Sequence, residues 1–236
     1  MTHPVRYSLD NGIASIMLDD GKANAMSFEM MEEINKALDQ AEADNAIVAI
    51  SGRPGIFSAG FHLKQLGESP ESTVKMLTMG ARLSMRMLMF PQPTIIACTG
   101  HAYPMGAFLL LSADYRIGVE GPFEIGMNEV LIGISAPSVF VELAKTKLVR
   151  SYFSRTEMLG EMFDPAEAVK AGFLDQIAAP DQMMDSVMAK AEAFKKIDVK
   201  SHRMSKKRSR TPLINSMESA IEAELTLENV ARATAG

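Results

Sequence analysis

The chain has 236 residues, 47% hydrophobic and 22% charged, which is enough apolar material for one domain with a real core. A net charge of -5 offers no general cationic surface to nucleic acid or anionic membrane, and no apolar run approaches the ~20 residues of a membrane span. The only cysteine, Cys98, lies in an apolar stretch, so no internal disulfide forms and a reducing compartment suits the chain.

Met1 to Tyr7 lacks a hydrophobic signal core, and the T-A-G ending is not a peroxisomal address, so a cytoplasmic protein is expected. Val5 to Leu9 and Ile13 to Leu18 alternate as strands, with Asp10-Asn11-Gly12 as the hairpin turn. Ser27 then caps a helix whose stripe is Met31, Ile34, Leu38 and Ala41. Ala46 to Ser51 reads as a strand covered on both faces. Arg53 to Lys64 reads as a strand-end loop with Gly55 and Gly60. Ser69-Pro70 starts a Met-rich helix that runs to about Phe90, where Pro91 and Pro93 stop it. The 19 methionines are core or interface filler, some of them fit to line an acyl channel.

Thr94 to Thr99 is a buried strand running into a turn with Gly100, Pro104 and Gly106. The apolar segment Ala107 to Leu111 follows as a buried helix, which leaves bare N–H groups at the turn, where negative charge is stabilised. Glu129 is an isolated carboxylate in the apolar run I-G-M-N-E-V-L-I-G-I. Bare donors plus one carboxylate in apolar surroundings are the parts that form and protonate an enolate.

Beyond Pro137 the pattern is helical, over about 138–149, 151–160, 165–170, 181–197 and 213–232. The organisation expected is α/β, with a core over 1–190 and a C-terminal helical segment over 191–236. Lys195 to Arg210 is strongly basic and reads either as a solvated face or as a phosphate site. No aromatics interleave with these charges, which argues against nucleic acid. His62 and His101 lie in glycine loops, and no histidine pair has zinc spacing, so no metal is expected. No serine-hydrolase elbow and no P-loop is present.

Three motifs in order, Phe57 to Lys64, Gly100 to Asp114 and Ile125 to Glu129, resemble the crotonase superfamily of enoyl-CoA hydratases and isomerases. Glu161 to Gln176 resembles a further segment of that family, so the likeness covers nearly the whole chain. The resemblance implies a crotonase-like spiral of ββα units with a helical C-terminal part that assembles a homotrimer or a dimer of trimers. It implies an acyl-CoA substrate, with coenzyme A as part of that substrate and no separate cofactor. The thioester carbonyl would lie between the N–H groups of Phe61 and Met105, with Gly106 as neighbour. Met105 stands where the family has glycine, and its side chain bears on the width of the pocket. Lys22, Ala23 and Ala25, with Ala59, Phe61, His62, Leu63 and Lys64, match segments that hold coenzyme A.

The family's hydratases carry two glutamates, matching Phe108 and Glu129, so this chain keeps one. That is the isomerase pattern, with Glu129 as the base and Phe108 facing the acyl chain. Hydration, another enolate reaction, or a catalytically weak acyl-CoA-binding role stand as alternatives. Lys206, Lys207 or Arg208 would contact the coenzyme A phosphates.

Overall fold

The chain opens with β1 (Val5–Asp10) and β2 (Ile13–Leu18), paired antiparallel. Asn11 and Gly12 hold φ of 46° and 74°, the left-handed conformations that a tight hairpin requires. In this computed structural model, residues 3–234 are described. α1 (Phe28–Ala43) begins on Ser27, whose hydroxyl accepts from the Met30 N–H at 3.1 Å. β3 (Ile47–Ser51) runs parallel to β2 and is buried along most of its length.

The chain then crosses into a second sheet at β4 (Gly55–Ser58), followed by α2 (Leu63–Leu66) and α3 (Pro70–Met89). The same crossing repeats from β5 (Thr94–Cys98) to β6 (Gly100–Ala102), which leads into α4 (Pro104–Ser112). It repeats again from β7 (Tyr115–Val119) to β8 (Ile125–Gly126). A 3-10 turn (Glu129–Ile132) precedes α5 (Ser138–Lys147), α6 (Arg150–Leu159), β9 (Met162–Phe163) and α7 (Pro165–Ala171). β10 (Gln176–Ala178), α8 (Met183–Phe194), α9 (Val199–Glu224) and α10 (Leu227–Thr234) complete the order.

The six-stranded sheet runs β1-β2-β3-β5-β7-β10, and the four-stranded sheet runs β4-β6-β8-β9. The crossings bring backbones close together. A Cβ on Gly100 would fall 2.0 Å from the Gly55 carbonyl carbon, so only glycine fits there. One apolar core fills the space between the sheets and α1, α3, α4, α5 and α9. A second, smaller core lies between the large sheet and α8. No described helix is long and apolar enough to cross a membrane.

Three expectations need correction. The stretch expected as a loop over Arg53 to Lys64 contains β4 and the start of α2, because the second sheet pairs Gly55 with Gly100 and Ser58 with Ala102. The helix expected at 213–232 begins at Val199, runs through Pro212 and ends at Glu224, with α10 following. Asp198 caps it, accepting from the Ser201 N–H at 2.8 Å.

The third correction concerns Lys206. It does not face solvent. Its ammonium lies 2.6 Å from the Asp114 carboxylate and donates to the carbonyls of Phe90 and Gln92 at 2.7 and 3.2 Å. Arg210 reaches the other Asp114 oxygen at 2.9 Å, and His202 lies 3.6 Å away. Burial alone would raise the Asp114 carboxyl, but these three groups outweigh it and hold it well below the usual carboxylate range. Burial pushes Lys206 down to about 8 against the pull of Asp114. The residue just beyond α4 is thereby tied to α9.

Candidate active site

A cavity of about 260 Å³ opens between α2, α3, α4, α5 and the 3-10 turn. Its wall is aromatic and aliphatic. Phe108 stacks on Phe140, with ring centroids 4.2 Å apart and planes at 9°, and Phe61 meets Phe140 edge-on at 5.8 Å. Leu66, Leu77 and Ile132 also line it.

At one side stands the N-terminus of α4. Tyr103 precedes it without a side-chain cap, and Pro104 fills the first position. The N–H groups of Met105 and Gly106 lie in the first turn, where a helix has no internal acceptor to offer. Opposite is Phe61. Gly60 O accepts from the Met26 N–H at 2.8 Å, and Met26 O accepts from the His62 N–H at 3.3 Å. In this parallel bridge the Phe61 N–H points away from Met26. Gly60 joins the two sides, since a Cβ there would fall 3.4 Å from the Pro104 nitrogen and 3.6 Å from the Met105 nitrogen.

The side chains of Phe61 and Met105 pack on one glycine of α3. A Cβ on Gly80 would sit 2.6 Å from Phe61 Cζ and 2.9 Å from Met105 Sδ. Met105 is fully buried and is not part of the cavity wall, so the expected effect of its side chain on the pocket's width is corrected. It presents its N–H at the turn and sends its thioether into the core. Gly106 lets α4 press on β4, where a Cβ would fall 2.9 Å from Ser58 Cβ.

The strand end is held by a network that the sequence reading missed. Buried Asn24, at φ 51°, donates to Leu18 O and Phe57 O at 3.0 and 3.2 Å. Ser58 Oγ donates to Asn24 O at 2.8 Å and accepts from the Gly60 N–H at 3.1 Å. The Ala59 N–H donates to Ala23 O at 2.9 Å. An asparagine inside the Lys22 to Ala25 loop was the available signal, because Asn tolerates left-handed backbone.

Glu129 opens the 3-10 turn and is only 8% exposed. Burial pushes its carboxyl up to about 7, its own backbone N–H pulls it down, and the charge of Glu157 adds to the rise. Among the described residues it is the only carboxylate in the cavity wall. Of the other residues singled out in the sequence, Ala59, Phe61, Leu63 and Phe108 line the cavity. Lys22, Ala23 and Ala25 lie along the strand-end loop outside it, with Lys22 exposed. His62 caps α2, its Nδ1 accepting from the Gln65 N–H at 3.2 Å, and Lys64 is exposed on that helix. His101 accepts from the Glu124 N–H at 3.0 Å and stacks beside Tyr103. Burial pushes the Cys98 thiol up to about 12, which leaves it no nucleophilic role.

The model of the enoyl-CoA hydratase/isomerase family matches residues 8–235. A Pseudomonas syringae enoyl-CoA hydratase/isomerase family protein superposes with a TM-score of 0.93 at 45% identity, over 94% of this chain and 96% of that one. The mitochondrial enoyl-CoA delta isomerase 1 of Mus musculus is 28% identical over 91% of this chain and 76% of its own length. A probable enoyl-CoA hydratase of Mycobacterium avium is 30% identical over 79% of this chain and 74% of its own. The chain is an enzyme of the enoyl-CoA hydratase/isomerase family.

Proposed function

We propose that the protein moves the double bond of a 3-enoyl-CoA to the 2-position, with Glu129 as the single proton carrier. One observation carries this reading. Among the described residues the cavity wall holds one carboxylate, and at position 108 stands a phenyl ring stacked on Phe140.

The thioester oxygen accepts from the N–H groups of Phe61 and Met105. Glu129 takes a proton from C2, and the charge left behind spreads over a dienolate whose oxygen those donors stabilise. The same carboxyl then gives its proton to C4, which closes the cycle with Glu129 ionised again. A carboxyl near pH 7 suits both transfers, because it is neither too weak a base nor too weak an acid. The rings of Phe61, Phe108 and Phe140 keep water from the dienolate. The isomerase name of the mouse relative agrees with this reading. Coenzyme A enters as part of the substrate.

The test is to incubate the purified protein with 3-enoyl-CoA and with 2-enoyl-CoA and to identify the products. The expected result is 2-enoyl-CoA with little 3-hydroxyacyl-CoA. Hydration faster than isomerisation would overturn the proposal in favour of a hydratase.

A further inference from the structure

Outside the cavity, one carboxylate breaks a local rule. Glu157 sits in the last turn of α6, where a helix carries bare carbonyls and partial negative charge. A basic side chain is the favourable choice there, and an acidic one is unfavourable. Glu157 is half-buried, and among the described residues it has no ion pair and no side-chain hydrogen bond. The nearby cation is committed elsewhere: Arg155 donates to both oxygens of Glu161, at 2.7 and 2.5 Å, and lies over Tyr152 and Phe163. Residues that break such rules without a stabilising return cluster at functional sites.

The end of α6 abuts the turn that carries the base. Helix α6 closes on Gly160, and a Cβ there would fall 2.7 Å from Leu131 Cγ and 2.9 Å from Val130 Cγ2. These are the two residues after Glu129. The charged groups on the other elements around the cavity are engaged elsewhere or face solvent. Lys75 lies over the Phe28 ring, Arg82 pairs with Glu218, Arg86 with Asp39, and Glu142 with Lys145. Lys147 is turned toward the Asp114 cluster, while Lys64, Glu71 and Arg150 are exposed. Glu157 is left as the outside charge acting on Glu129.

We infer that Glu157 is a positioning residue for the base: its charge, together with the negative end of α6, holds the transferred proton on Glu129 between C2 and C4. The inference rests on Glu129 being the proton carrier. It gives a second carboxylate a part in the reaction without bringing it into the cavity.

The test is Glu157→Gln with two readouts. Carboxyl NMR on ¹³C-labelled glutamate, with Glu129→Gln used to assign the signal, follows the Glu129 titration whatever the reaction catalysed. The second readout is the pH profile of kcat/KM. In Glu157→Gln the Glu129 midpoint falls, and the share of plateau activity retained at pH 6 rises about threefold, the effect of half a pH unit. Glu157→Asp returns both readouts toward wild type. An unmoved midpoint overturns the inference, and so does a change in Tm alone, which marks a structural role. A moved midpoint beside a fully active Glu129→Gln keeps the electrostatic link, refutes the proton-carrier reading and overturns the catalytic part assigned to Glu157.

Discussion

The ring of Phe108 lies flat on the ring of Phe140, 4.2 Å between centroids, joining α4 to α5 across the wall of the cavity. Offset stacking of this kind adds to the apolar burial of both rings. It also fixes what position 108 can offer a substrate, a hydrocarbon face with no acceptor for water. Phe108→Glu should therefore lower isomerisation at least about tenfold, since a second buried carboxylate repels Glu129 and wets the site. The product ratio of variant and wild type under identical conditions checks this. An unchanged ratio and rate would show that the stacked pair has no part in keeping water out.

Glu129→Gln should lose about 10²-fold or more in rate while keeping affinity for coenzyme A. It should also gain stability at alkaline pH. The folded carboxyl titrates at about 7 against an ordinary 4.5, so the native chain keeps a proton that the unfolded chain releases across that window. Stability conferred by this proton is present at low pH and falls as pH rises toward 7, by about 3 kcal/mol in all. Glutamine removes that penalty. Denaturation at pH 5 and pH 8 should show the variant ahead chiefly at pH 8.

Met105 offers a way to separate a backbone donor from a side chain. Met105→Ala empties core space beside Gly80 and Phe61 but keeps the N–H. Met105→Pro empties the same space and removes the donor as well. The proline variant should fall about 10²- to 10³-fold below the alanine variant in kcat, the usual effect of losing one oxyanion donor. Circular dichroism and Tm should be alike for the two. Equal rates would move the donor away from residue 105.

The Asp114 cluster makes a stability prediction. The carboxyl is depressed in the folded chain, so its contribution is present above its ordinary pKa of 3.8 and is lost as pH falls below it. Asp114→Asn leaves buried Lys206 and partly buried Arg210 without their anion and should cost about 3–5 kcal/mol. Adding Lys206→Met should recover part of the loss. Urea denaturation of the two single variants and the double variant measures the coupling.

Several elements were legible because their signals are local. The Asp10 to Gly12 turn, the Ser27 cap and the apolar run of α4 each depend on a few neighbouring residues. Glu129 stood out because charge is rare in such a run. What stayed hidden depends on distant partners. β4 is too short to show a period and exists because Gly100 and Ala102 pair with it. Phe140 gave no sign that it would meet Phe108 and Phe61. The first half of α9 read as a solvated face or a phosphate site because Lys206 and Arg210 are charged, and the carboxylate that draws them inward lies on another part of the chain. Pro212 sits inside α9, where the packing of Leu213, Met217 and Ile221 outweighs the one helical hydrogen bond that a proline deletes.

The bond between Asp114 and α9 also has a consequence for the order in which the molecule is made. The donor turn, the base and the cavity wall all lie before residue 141. A ribosome therefore releases the whole cavity wall well before Lys206 and Arg210 emerge. Until then Asp114 holds only Thr94 of β5, accepting from its N–H and hydroxyl at 2.9 and 3.2 Å, and lacks the two cations that α9 brings. The end of α4 thus takes its uncharged anchor on β5 early and its ionic tie only near the end of synthesis, when the last long helix docks.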